Sequence, residues 1–187
     1  MTLSSRVIRR ALAAVSAVVV LGGCGLLPSG KERKEPVVDI TMKEAAEKAD
    51  AMLDATMAAY VPRIEWTHDQ TTEGTCDLIR YRTVMTIISE QRRGNFLGVT
   101  ERVWKKNGYE IVSVNEDKEH PAIFARSADG FAIGMTIGDK GQAFFEVATP
   151  CVRQSEVPDP AVRAQGQDYS HGDVPYPNVR SPFWSAG

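Results

Sequence analysis

This 187-residue sequence has no long apolar run: Ala11 to Leu21 gives 11 residues where a spanning helix needs about 20. Cysteine is scarce, three in all, which excludes a disulfide-dense mini-scaffold. There are only three histidines, His68, His120 and His171, and no two stand at metal-ligand spacing, so no metal site is expected. No Gly-x-Ser-x-Gly elbow and no Ser-x-x-Lys occurs, which removes support for the familiar acyl-transfer enzymes. Excess charge is missing too. A net charge of −2 gives no electrostatic footprint for nucleic acid, and nothing in the composition implies a cofactor.

What is present begins at the N-terminus. Arg6, Arg9 and Arg10 precede the short apolar run, and Leu21-Gly22-Gly23-Cys24 follows it at once. Residues 1–23 therefore read as a signal peptide. The four residues ending in Cys24 resemble the bacterial lipobox. That resemblance implies a diacylglyceryl group on the Cys24 thiol, with small residues before it for the processing peptidase. The same small residues also fit an ordinary secretory cut. Two acyl chains, at about 0.8 kcal/mol per buried CH₂, hold a protein on a bilayer where one chain does not. The expected location is thus the extracytoplasmic face of the bacterial cell membrane, with the lipid anchor as the membrane contact. Residues 24–39, rich in Pro, Gly and mixed charge, read as a tether.

Residues 40–154 read as the globular domain. Thr41-Met42-Lys43-Glu44 is a capping box, and apolar residues then recur at steps of three and four up to Tyr60, predicting a helix over about 42–60. Residues 77–89 alternate as a long strand; the set Ile79, Tyr81, Thr83, Met85 and Ile87 is the more apolar and is expected to face inward. Arg92-Arg93-Gly94 is expected to break the chain there. Residues 95–107 fit a helix capped by Gly108, although Asn107-Gly108 is also a hairpin signal; we read a helix. Four short strands follow, over 109–114, 122–127, 131–137 and 143–149, punctuated by Asp129-Gly130 and Gly138–Gly141. The pattern predicts an α+β two-layer sandwich, with two helices on a mainly antiparallel sheet. In its helix, strand and hairpin order and its final Thr149-Pro150-Cys151, the domain resembles small uncharacterised lipoproteins of actinobacteria, a resemblance that implies no activity. Residues 155–187, with five prolines and no apolar period, are expected to be a disordered or extended tail.

With Cys24 given to lipid, Cys76 and Cys151 remain as an even pair outside the cytoplasm and read as a disulfide; a catalytic thiol is the competing reading. Met52, Leu53 and Met57 lie on one helix face, either as core packing or as the lip of an apolar groove. Glu65 and Asp69, or Glu116, Asp117 and Glu119, offer carboxylates of the kind a hydrolase uses, and acidic loops are commonly just solvated. Arg80, Arg82, Arg92 and Arg93 are expected on a solvated face. Ser170, His171 and Asp173 carry triad letters in a segment that offers no rigid scaffold. The functional expectation is a non-catalytic binding or interaction module of the cell envelope, its partner an envelope protein or small ligand. The alternatives are a carrier of apolar ligands or lipid, and an envelope hydrolase.

Overall fold

A computed structural model describes residues 38–187. The leader, Cys24 and the tether up to residue 37 lie outside the described residues. Helix α1 spans Met42–Met57 and starts at the expected capping box: Thr41 Oγ1 accepts from the Glu44 backbone N–H, and the Glu44 carboxylate accepts from Thr41 N–H at 2.7 Å. Strands β1 (Trp66–His68), β2 (Thr72–Glu73) and β3 (Leu78–Val84) follow, then helix α2 (Glu90–Lys106). Strands β4 (Glu110–Asn115), β5 (Ala122–Arg126), β6 (Ala132–Ile137) and β7 (Ala143–Ala148) complete the regular elements. The sheet runs β1-β3-β7-β6-β5-β4, antiparallel at every pairing, with β2 on β3. Both helices lie on one face, α1 over β3 and β7, α2 over β4 and β5. The fold is the α+β sandwich that the pattern implies, with the other sheet face free of helices among the described residues.

Three expectations change. The first is the start of α2, which begins at Glu90 and runs straight through Arg92, Arg93 and Gly94. A glycine inside a helix costs about 1 kcal/mol. Burial of Phe96, Leu97, Thr100 and Trp104 on the same helix outweighs it. At the far end Gly108 takes φ 79° and its N–H bonds to Lys105, so Asn107-Gly108 caps the helix and makes no hairpin.

The second is the facing of β3. Arg80 pairs with Val147 and Arg82 with Phe145, both core positions, so the arginines point inward under α1. Ile79, Tyr81 and Thr83 lie on the helix-free side. The inward set is the more polar one, because α1 supplies Asp50 and Asp54 to meet the two cations.

The third is the tail. Residues 155–187 are not loose: they thread back across the domain. Gln165 pairs antiparallel with Trp66, covering the β1 edge, and Val179 exchanges hydrogen bonds with Met85 and Ile87. Trp184 is 1% exposed, donates its indole N–H to the Pro62 carbonyl at 2.7 Å and sits edge-on to Tyr60 and Phe96. Prolines exclude helix and ladder, yet their carbonyls remain good acceptors, and the domain provides the donors.

Cys76 and Cys151 form a disulfide with a Cα separation of 4.8 Å. It fastens the approach to β3 against the exit of β7, two strands that are already neighbours.

Candidate functional site

Beneath residues 158–168 lies the densest set of buried polar groups. Arg82 is fully buried. One Nη donates to Asp54 Oδ1 at 2.8 Å and stands 3.6 Å from Asp50 Oδ1; the other donates to His68 Nδ1. Its guanidinium also lies 4.5 Å from the centre of the Trp66 ring. Arg80 Nε is 3.4 Å from Asp50 Oδ2, while its two Nη groups donate to Thr71 Oγ1 and to the carbonyl of Pro158. Two cations thus face two carboxylates, a balance without which burial would be prohibitive.

An arginine cannot accept, so His68 Nδ1 must carry the lone pair and Nε2 the proton. That Nε2–H donates to the Val162 carbonyl at 2.7 Å. The tautomer is fixed from both sides. Burial, and then the Arg82 charge, push the His68 pKa below its ordinary value. Burial likewise raises Asp50, against the pull of Arg80 and Arg82. On the tail, Asp168 is held ionised chiefly by the Ser170 N–H at 2.9 Å, and the Tyr169 N–H donates to Thr67 Oγ1 at 2.8 Å.

Above this network opens a cleft of about 450 Å³. Its floor is His68 and its rim carries Asp69, Asp159, Arg163, Asp168 and His171. Both ring nitrogens of His68 are committed, so the imidazole has no free lone pair for proton abstraction or for a metal. Among the described residues no group of three His, Cys, Asp or Glu side chains stands close enough to hold a metal ion. What the arrangement offers is a fixed polar surface with mixed charge around it.

The remaining sequence candidates fall elsewhere. Met52, Leu53 and Met57 are buried in the hydrophobic core, and Met57 also borders a small hollow of about 210 Å³ with Ile64 and Trp66. Glu65 lies under Gly166, whose φ of 106° lets the tail turn over that carboxylate. Asp69 is on the cleft rim and accepts from Thr83 Oγ1 at 3.3 Å. Glu116, Asp117 and Glu119 border a separate hollow of about 630 Å³ against the start of α2. Asp117 is spent shaping that loop, its carboxylate accepting the Glu119 and His120 N–H groups. Arg92 stacks on Phe183 at 4.2 Å and Arg93 donates to the Glu119 carbonyl at 2.7 Å, so neither is merely solvated. Ser170 and His171 do reach the cleft, through the tail's docking. The signal for the buried network was spacing: Asp50 and Asp54 at i,i+4 on a helix repeat at about 6 Å. Arg80 and Arg82 at i,i+2 on a strand repeat at nearly the same distance, about 6.7 Å.

Fold and cleft together describe an α+β domain with a disulfide at its margin and a tail-roofed polar cleft. No family model matches the chain, and no curated protein does. Among solved structures, a DUF4853 family protein from Actinomyces odontolyticus is similar over 68% of this chain and 79% of its own, at 12% identity and a TM-score of 0.39. A glyoxylase/bleomycin resistance protein/dioxygenase domain from Frankia sp. is similar over 55% of this chain and 94% of its own, at 13% identity and a TM-score of 0.27. Both overlaps are too loose to carry an argument about activity. No helix among the described residues is long and apolar enough to cross a membrane.

Proposed function

We propose that this protein is a lipid-anchored extracytoplasmic module of the bacterial envelope that acts by binding, and that the cleft over His68 receives a small polar ligand. The carrying observation is the His68 floor: an imidazole locked in one tautomer between Arg82 and the Val162 carbonyl presents fixed polarity but no spare base. A volume of about 450 Å³ lies within the range of small-molecule sites. The three rim carboxylates against Arg163 favour a ligand carrying a cationic or hydroxylated group. The lipobox resemblance of Leu21-Gly22-Gly23-Cys24 supports the same reading, since a diacylglyceryl anchor on Cys24 would hold such a cleft outside the cell within reach of envelope components.

Native mass spectrometry of the full chain extracted from membranes tests both parts. The account expects a diacylglyceryl-modified Cys24 and a discrete additional small-molecule mass that disappears in Asp168→Ala together with Arg163→Ala. Cys24→Ala is expected to release the protein from the membrane fraction. An unmodified Cys24, or identical bound masses in the wild type and the cleft variant, contradicts the corresponding half.

A further inference from the structure

The two edges of the sheet are treated differently. β1 is three residues long and is covered by the Trp66–Gln165 pairing. β4 is six residues long, pairs among the described residues only with β5, and is exposed along nearly all of its length. Proteins blunt bare edges with lysine, proline or covering chain. Glu110–Asn115 has none of these; its one charge is Glu110, and the irregularity between Ile111 and Ser113 is its sole protection. Three of the seven exposed large apolar side chains among the described residues lie here: Val112 at 64%, Val114 at 39% and, opposite Ser113 on β5, Phe124 at 37% exposure.

We infer that β4 pairs antiparallel with β4 of a second copy of this chain, joining two sheets across a two-fold axis. Charge selects both the partner and the direction. Before β4, across the Asn107-Gly108-Tyr109 turn, stand Lys105 and Lys106, exposed at the end of α2. Immediately after it stand Glu116, Asp117 and Glu119, diluted only by Lys118. An isologous antiparallel pairing centred between Val112 and Ser113 sets the basic end of each copy against the acidic loop of the other. It also puts Glu110 opposite Asn115, so no like charges meet along the strand. A parallel arrangement would bring lysine to lysine and acid to acid. Asp117 is occupied within its loop, which leaves Glu116 and Glu119 to face the partner's Lys106; Lys105 already holds Glu101 at 2.6 Å. This pairing is independent of the cleft: a failed ligand test leaves it standing, and its own failure leaves the cleft reading standing.

The full chain, purified in mild detergent, is weighed by native mass spectrometry across a concentration series. The wild type is expected to be a dimer that dissociates on dilution. Lys106→Glu and Glu119→Lys should each weaken the dimer about tenfold, and the two reversals combined in one chain should recover much of that loss, because the 106–119 contact is then an opposite-sign pair again. Val112→Lys should give a monomer that melts at the temperature of the wild type diluted to its monomeric state, its side chain being exposed within the protomer already. A chain that stays monomeric at all concentrations overturns the proposal. So does a dimer indifferent to Val112→Lys and to both reversals, or a β4 edge found occupied by a different protein.

Discussion

Arg82 carries more of the structure than any other single polar side chain, since α1, β1 and β3 all meet on it. Replacing it with methionine keeps much of the volume but leaves Asp54 and His68 without a donor and Asp50 half-paired. Breaking a buried pair in this one-sided way costs about 3–5 kcal/mol. Chemical denaturation of Arg82→Met should show a loss of that size; a change below about 1 kcal/mol would mean the network is bystander to stability. His68 makes a second prediction. Its folded pKa lies below the ordinary value of 6.5, so the unfolded chain binds the extra proton first. Stability from this group is therefore complete above pH 6.5 and falls as pH drops towards the folded value. The raised Asp50 works in the opposite direction, stability growing as pH falls from its raised folded value to the ordinary carboxylate value of 3.8 and staying level below it. A stability profile of wild type against His68→Gln should separate the two, the loss just below pH 6.5 being confined to the wild type. Sequence alone shows the inward arginines only to a reader who sets two spacings side by side. Counted singly, Arg80 and Arg82 vote for a solvated face, and the apolar neighbours Ile79 and Tyr81 take the core by default.

At the scale of elements, legibility followed local chemistry. α1 was readable from Thr41, Glu44 and an apolar period, all of which act within one turn or one face. β5, β6 and β7 were readable from Asp129-Gly130 and from the Gly138–Gly141 turn between them. The start of α2 was not, because Gly94 and the two arginines look like a break until Phe96 and Trp104 are seen to bury. Least legible was the tail. Its order comes from donors far away in sequence: Arg80 to the Pro158 carbonyl, His68 to Val162, Gln142 to Pro175 at 3.0 Å. Five prolines say only that the segment has no regular ladder of its own. Trp184 is the fulcrum of its final stretch, filling space among Tyr60, Phe96 and Phe183. Trp184→Ala should cost about 3–5 kcal/mol, as for other buried aromatics. Truncation after Gln154 should lower the melting temperature further still, because it also uncovers the β1 edge and strips acceptors from Arg80 and His68. A truncated chain melting within a few degrees of the full one would show that the tail contributes nothing.

For the whole molecule, the disulfide and the tail restrain opposite kinds of freedom. The Cys76–Cys151 bond closes a loop of 75 residues, worth about 4.5 kcal/mol if its effect is mainly on the unfolded chain. Reduction under native conditions should therefore reduce unfolding free energy by that order while the tail remains docked, since no tail contact depends on either sulfur. A reduced protein as stable as the oxidised one would assign the bond no such role. The tail acts in the folded state, where it closes the sheet edge, plugs the core and roofs the cleft that the proposed function needs. That integral tail is the central structural claim, and hydrogen exchange on the full chain measures it directly. Amides at Trp66, Gln165, Val179 and Ile87 all sit in hydrogen bonds between tail and domain. The account predicts slow exchange at all four, with tail peptides around 165 and 178–185 protected to a degree comparable with β3. Exchange of those tail peptides at the rate of unstructured chain would contradict it.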